Sequence, residues 1–249
     1  MKKTVKVQEV RTGSLHNRRS FLKFSGLAIA GTGLIMAGCS DDDDRGGGNN
    51  NDQLPGIRNG VFDLGGGDLG ILTYAYALEQ LEADFYTRVV NGSTFTSTFS
   101  SEEQAILVDL YRHEVVHREF FRAALSGALA DDRVLPDLQF AYDGVNFGNR
   151  LSVLETAKAL EDTGVSAYNG AGRYIQNADY LVVAGKIVSV EARHASAIRD
   201  LLNPGSADFA GDDIIDNNGL DISRRPSQVI SSLSDLEFIQ TPFTASFLQ

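Results

Sequence analysis

The chain has no tryptophan, one cysteine and four histidines among its 249 residues. A single cysteine excludes an internal disulfide framework and any metal site built from several thiolates. Positive charge is also scarce: 22 Lys and Arg against 33 Asp and Glu leave a formal net charge of −11. That balance opposes nucleic-acid binding, which needs a basic footprint to meet phosphates. No apolar run reaches the ~20 residues a helix needs to cross a bilayer. What is present suffices for one buried core, since 43% of the residues are hydrophobic, enough for a single domain with tails.

The scarce positive charge is unevenly placed. Lys2, Lys3, Lys6, Arg11, Arg18, Arg19 and Lys23 crowd the start of the chain, with Glu9 as the only acid before residue 38. Asn17-Arg18-Arg19-Ser20-Phe21-Leu22-Lys23 resembles the twin-arginine export signal, and the small apolar stretch from Phe24 to Gly38 that follows is signal-like and too short to span. Met36-Ala37-Gly38-Cys39 resembles a bacterial lipobox, which places the only cysteine where a lipid would be attached. An ordinary cleaved signal with an incidental cysteine is the rival reading. Residues 40–53, rich in Asp, Gly and Asn, have nothing to bury and read as tether. The expected organisation is a lipoprotein signal (1–38), a lipid-anchored tether (39–67), a helical domain (68–202) and a mostly irregular tail (203–249) with a short helix near Pro226–Leu236. The expected location is the cell envelope or periplasm, with membrane lipid as a partner through Cys39.

Four stretches have helical spacing. The first runs from Asp68, a candidate cap, to Val90, with the stripe Leu72, Ala75, Glu79, Glu82, Tyr86 and Val90. The second runs from Glu102 to Ser126, behind the capping box Ser100-Ser101-Glu102-Glu103, with the stripe Leu107, Leu110, Glu114, His117, Phe121 and Leu125. The third runs from Ser152 to Asn169, opened by Ser152 and Glu155 as a second box, with Leu154, Ala157, Glu161, Val165 and Tyr168. The fourth runs from Ala178 to Leu202, with Tyr180, Ala184, Ile187, Glu191, His194, Ile198 and Leu202. Strand patterns are weak, and the fold class is an all-α four-helix bundle. Residues 127–149 are long enough to cross it between the second and third helices.

Acids and histidines thus lie on the apolar stripes, where an uncompensated carboxylate costs several kcal/mol. They also repeat. Ala77-Leu78-Glu79 with Tyr86 matches Ala159-Leu160-Glu161 with Tyr168, and Glu114-x-x-His117 with Arg122 matches Glu191-x-x-His194 with Arg199. Residues three apart share a helix face, about 4.5 Å apart along the axis, so one Glu and one His can grip one ion. Two such pairs and a lone Glu from each other helix form the set that binds two iron or manganese ions in carboxylate bundles. Two divalent ions balance four carboxylates. A degenerate bundle that keeps the motif as a satisfied polar core is the rival.

Glu79, Glu114, His117, Glu161, Glu191 and His194 resemble the metal ligands of the ferritin-like superfamily, which includes bacterioferritin, rubrerythrin and manganese catalase. The runs Leu160-Glu161-Asp162-Thr163-Gly164-Val165-Ser166-Ala167-Tyr168 and Val190-Glu191-Ala192-Arg193-His194-Ala195 resemble an exported branch that contains the desiccation-related proteins. The resemblance covers about residues 68–202. It implies the ferritin-like bundle and two Fe or Mn ions that react with dioxygen or peroxide or oxidise ferrous iron. It implies a role in envelope stress protection, with a ferroxidase-like or a catalase- or peroxidase-like oxidoreductase as the active form. A desiccation or stress protein whose metals only rigidify the bundle is the alternative. A second copy of the chain is a candidate partner.

Other residues are assigned more plainly. Glu82 lies on the stripe opposite Gly164 in the repeat, either as an extra ligand, as an acid just outside the ligands, or as an outward-leaning neighbour. Tyr86 and Tyr168 are expected as core aromatics bonded near the site. His113, one residue off the seam, reads as a solvent or interface position. The glycines at 65–67 follow no predicted strand and read as a lead-in to the first helix.

Overall fold

The computed structural model describes residues 53–248. Arg18, Arg19, the lipobox with Cys39 and the start of the tether lie outside the described residues. A tight hairpin, β1 (Gly56–Arg58) and β2 (Val61–Asp63), comes first. β3 (Phe243–Thr244) pairs parallel to β2 and completes a three-stranded sheet. The tether expected as far as residue 67 therefore stops short of this hairpin. Phe62 and Leu64 join the core, and Asp63 accepts hydrogen bonds from Gly65 N, Thr244 Oγ1 and Ser246 N. Strands of two or three residues are too short to show alternation, so the sequence gives no sign of them.

A strand does, then, precede the glycines. Gly65 turns the chain at φ +77°, and a Cβ there would lie 2.5 Å from Pro55 N, so only glycine passes. Helix α1 (Gly67–Val90) follows at once. Asp68 is not its cap: its carboxylate accepts the backbone N–H groups of Gln176 and Asn177 and so ties the start of α1 to the start of the last bundle helix. After the short α2 (Phe95–Thr98), α3 (Ser101–Ala128) opens with the expected capping box, Ser100 and Glu103 each accepting the other's backbone N–H. Helix α4 (Arg150–Ala171) begins earlier than expected. Asn149 Oδ1 takes Ser152 N at 3.0 Å, and Ser152 sits inside the first turn with its hydroxyl accepting from Asn146 N, so no box with Glu155 forms. Helix α5 (Ala178–Leu202) is capped by the Asn177 side chain. Helix α6 (Pro226–Asp235) packs on α4 and buries Val229 and Leu233.

Two helix pairs build the bundle, α1 on α3 and α4 on α5, with α1 meeting α4 and α3 meeting α5 between pairs. The crossover from α3 to α4 lies against α1. Buried Gln80 holds it by accepting Leu138 N at 2.8 Å and donating to Pro136 O at 3.3 Å, while Leu135, Leu138 and Tyr142 join the core. With the crossover over it, α1 is buried on nearly every side, and its inward acids Glu79 and Glu82 are buried.

Candidate metal centre

Four helices each give one carboxylate to the donor cluster: Glu79 from α1, Glu114 from α3, Glu161 from α4 and Glu191 from α5, all fully buried. His117 and His194 join them from α3 and α5. His117 Nδ1 lies 2.8 Å from Glu191 Oε1, 3.4 Å from Glu114 Oε2 and 3.5 Å from Glu79 Oε2. His194 Nδ1 lies 2.6 Å from Glu114 Oε1, 3.5 Å from Glu191 Oε2 and 3.6 Å from Glu161 Oε2. The donor atoms therefore fall into two overlapping sets, Glu79, Glu114, His117 and Glu191, and Glu114, Glu161, Glu191 and His194, either of which could hold a metal ion. Glu114 and Glu191 belong to both sets and give one oxygen to each.

These close approaches are not hydrogen bonds. Glu79 Oε2, both oxygens of Glu114 and of Glu191, Glu161 Oε2 and both Nδ1 atoms are buried without a hydrogen-bond partner. Orphaned buried polar groups cost about 1–3 kcal/mol each, and charged ones more. Donors that crowd together without aligning on one another are what a cation at a common centre requires. The set of four carboxylates and two imidazoles fits two divalent ions in charge, and in kind suits iron or manganese better than a closed tetrahedral zinc.

The outer oxygens of the two lone glutamates are spoken for. Tyr86 on α1 donates to Glu161 Oε1 at 2.6 Å, and Tyr168 on α4 donates to Glu79 Oε1. Each tyrosine thus serves the glutamate of the other helix pair, and each glutamate keeps one oxygen free for the centre. Burial, reinforced by those carboxylates, holds both phenols well above their ordinary range, so they remain donors.

Close packing moves the titration of Glu79, Glu114, Glu161 and the two histidines. Burial, with Glu191 next in weight, pushes Glu79 up to about 8. Burial likewise takes Glu161 to about 8, against the pull of His194. Burial would also raise Glu114, but the two imidazoles beside it, His117 and His194, outweigh burial and bring Glu114 down to about 2. Burial opposes charging of the two imidazoles, and the carboxylates overcome it, Glu79 foremost at His117 and Glu161 at His194, holding both well above the usual range.

Glu82 does not lean outward. It is buried beside the cluster with Oε2 unpartnered, and a Cβ on Gly164 would lie 2.9 Å from its Oε1. It belongs to neither donor set. Burial and the four nearby glutamates push it well above the carboxylate range, so it stays protonated. His113 is more than a surface residue: its Nδ1 lies 2.9 Å from His194 Nε2, and the two rings lie nearly parallel with centroids 5.2 Å apart. The one sequence sign of this contact is the place of His113 directly before the Glu114 motif, one residue off the seam.

The sequence pattern for the ferritin-like domain matches residues 67–204, from the first residue of α1 to just past α5. No curated protein matches the chain. The match covers more than half of the sequence and includes all four bundle helices and the whole carboxylate–histidine cluster, and the chain belongs to the ferritin-like domain family.

Proposed function

We propose that this is an exported di-iron or di-manganese protein whose centre reacts with dioxygen or peroxide, or oxidises ferrous iron, in protection of the cell envelope. One observation carries the reading: six donor groups, five buried and His117 half-buried, form two sets that share Glu114 and Glu191. A purely structural polar core would pair its groups with one another, and these are left unpaired.

Glu79, Glu114, His117 and Glu191 would hold one ion, and Glu114, Glu161, Glu191 and His194 the other. Held there, two such ions would supply electrons and Lewis acidity to a small oxidant. The protein's own part is positional. Tyr86 and Tyr168 fix the lone glutamates from behind, the helices exclude water from the carboxylates, and Glu82 keeps a proton on its carboxyl beside them. The leader supports export, and Cys39 supports a lipid anchor in the envelope.

Metal content of the purified full chain tests this, measured beside Glu114→Ala/His117→Ala. Close to two iron or manganese ions per chain, lost in the double variant, is the expected result, followed by turnover of peroxide or ferrous iron. A folded wild-type protein that takes up no metal after anaerobic loading overturns it. Two tightly held ions without turnover would leave the stabilising role of the alternative. Cys39→Ala is expected to move the protein from the membrane to the soluble fraction.

A further inference from the structure

The repeat that builds the centre is broken just before its shared glutamates. The residue before the shared glutamate is His113 in α3 and Val190 in α5. His113 reaches across to His194 of the other pair, Nδ1 to Nε2 at 2.9 Å, with the rings 9° from parallel. Val190 is aliphatic and half-buried, and among the described residues none hydrogen-bonds His117 Nε2. The two imidazoles also differ in their access to water: the His194 side chain is 4% exposed and that of His117 is 12%.

The chemistry of the contact is set by the other side of the ring. His194 Nδ1 points at three carboxylates, so as a ligand it presents its lone pair there and carries its proton on Nε2. His113 Nδ1 is then the acceptor. An acceptor at the far nitrogen of a ligating histidine locks the tautomer and ring orientation and makes the ligand more basic, and its loss costs roughly 10–100-fold in metal affinity. His117 has no such support.

We propose that His113 is a positioning residue that makes the two metal positions unequal: the one at His194 is tight and resident, and the one at His117 is weaker, faces water and exchanges. This rests on the two-ion reading above and adds an order of filling to it. Within the proposed chemistry, an incoming ferrous ion would take the His117 position.

The test is equilibrium titration of the metal-free full chain with Mn(II) alone, read by competition with a chelator. Wild type is expected to fill in two steps separated by about tenfold or more. His113→Phe keeps an aromatic ring and removes the acceptor. It is expected to weaken the tighter step by roughly 10–100-fold and leave the weaker one in place. His113→Asp restores an acceptor and is expected to restore the gap, which a merely structural role for the ring would not do. Two equal steps in wild type, or an unchanged tight step in His113→Phe, overturn the proposal and leave the two-ion reading intact. No uptake by wild type overturns both.

Discussion

Tyr86 and Glu161 stand on different helix pairs, and the phenol of the first holds the carboxylate of the second at 2.6 Å. Tyr168 and Glu79 repeat the arrangement in reverse. The bond leaves Glu161 Oε2 facing His194, so its worth lies in aiming the ligand as well as in joining the pairs. Tyr86→Phe keeps the packed ring and strands Glu161 Oε1. Leaving such a group unsatisfied costs about 1–3 kcal/mol, and that loss is expected in denaturant unfolding of the metal-free protein. The Mn(II) affinity of the His194 position should fall with it. An unchanged unfolding midpoint together with unchanged affinity would show that the contact does neither job.

Gly164 occupies the repeat position of Glu82, and the two are complementary in space. A Cβ on Gly164 would meet Glu82 Oε1 at 2.9 Å. In a helix interior, Gly→Ala ordinarily gains about 0.5–1 kcal/mol. Here the gain is opposed by displacement of a buried carboxyl. Gly164→Ala is therefore expected to be neutral or destabilising in the wild-type background and stabilising in Glu82→Ala. The coupling should exceed about 0.5 kcal/mol in a double-mutant cycle, as contacting residues show. Additive effects would mean that the carboxyl moves aside at no cost.

The bundle, its crossover and the inward set were legible because they rest on periodicity: acids and histidines at helical spacing on apolar stripes identify themselves. The edges were not. The first cap of α4 was read at Ser152 and lies at Asn149, because both positions offer a small polar side chain and the choice depends on where the crossover ends. Asp68 looked like a cap and serves the start of α5, a contact that sequence order hides. β1 and β2 are too short to carry a pattern. The register of His113 points to a surface position, and the residue is exposed. Its contact depends on how closely α5 approaches α3, which no single-helix pattern contains.

Arg199 shows the same break in the repeat. Its counterpart Arg122 is exposed, whereas Arg199 is buried and forked, donating from Nε and Nη2 to Asp162 and from Nη1 and Nη2 to Asp213. Asp213 lies beyond the bundle, so this fork fastens the tail to α4 and α5. Lysine cannot make the two-sided fork. Arg199→Lys is expected to cost about 1–3 kcal/mol and to make the chain after Leu202 the first site cut in limited proteolysis. Cleavage that remains uniform along the chain would argue that the tail is held elsewhere.

Acidity should separate the metal-free from the metal-loaded protein, and the sign follows from the shifted titrations. Unfolded glutamates release their protons near the ordinary value of 4.5, whereas folded Glu79 and Glu161 hold theirs to about 8. Between those values the folded state binds more protons, so stability falls as pH rises. The two histidines act in the same direction: their folded values are raised, so their contribution is complete below the unfolded value of 6.5 and declines above it. Glu114, brought down to about 2, acts oppositely, and its contribution is lost only as pH falls from about 4.5 through 2. Metal-free protein is thus expected to melt at progressively lower temperature from pH 5 to pH 8. Divalent ions need those ligands deprotonated, so the increase in melting temperature on adding Mn(II) should grow over the same range. Melting curves at matched ionic strength, with and without Mn(II), measure both slopes. A metal-free melting temperature that rises with pH would place those protons on other groups.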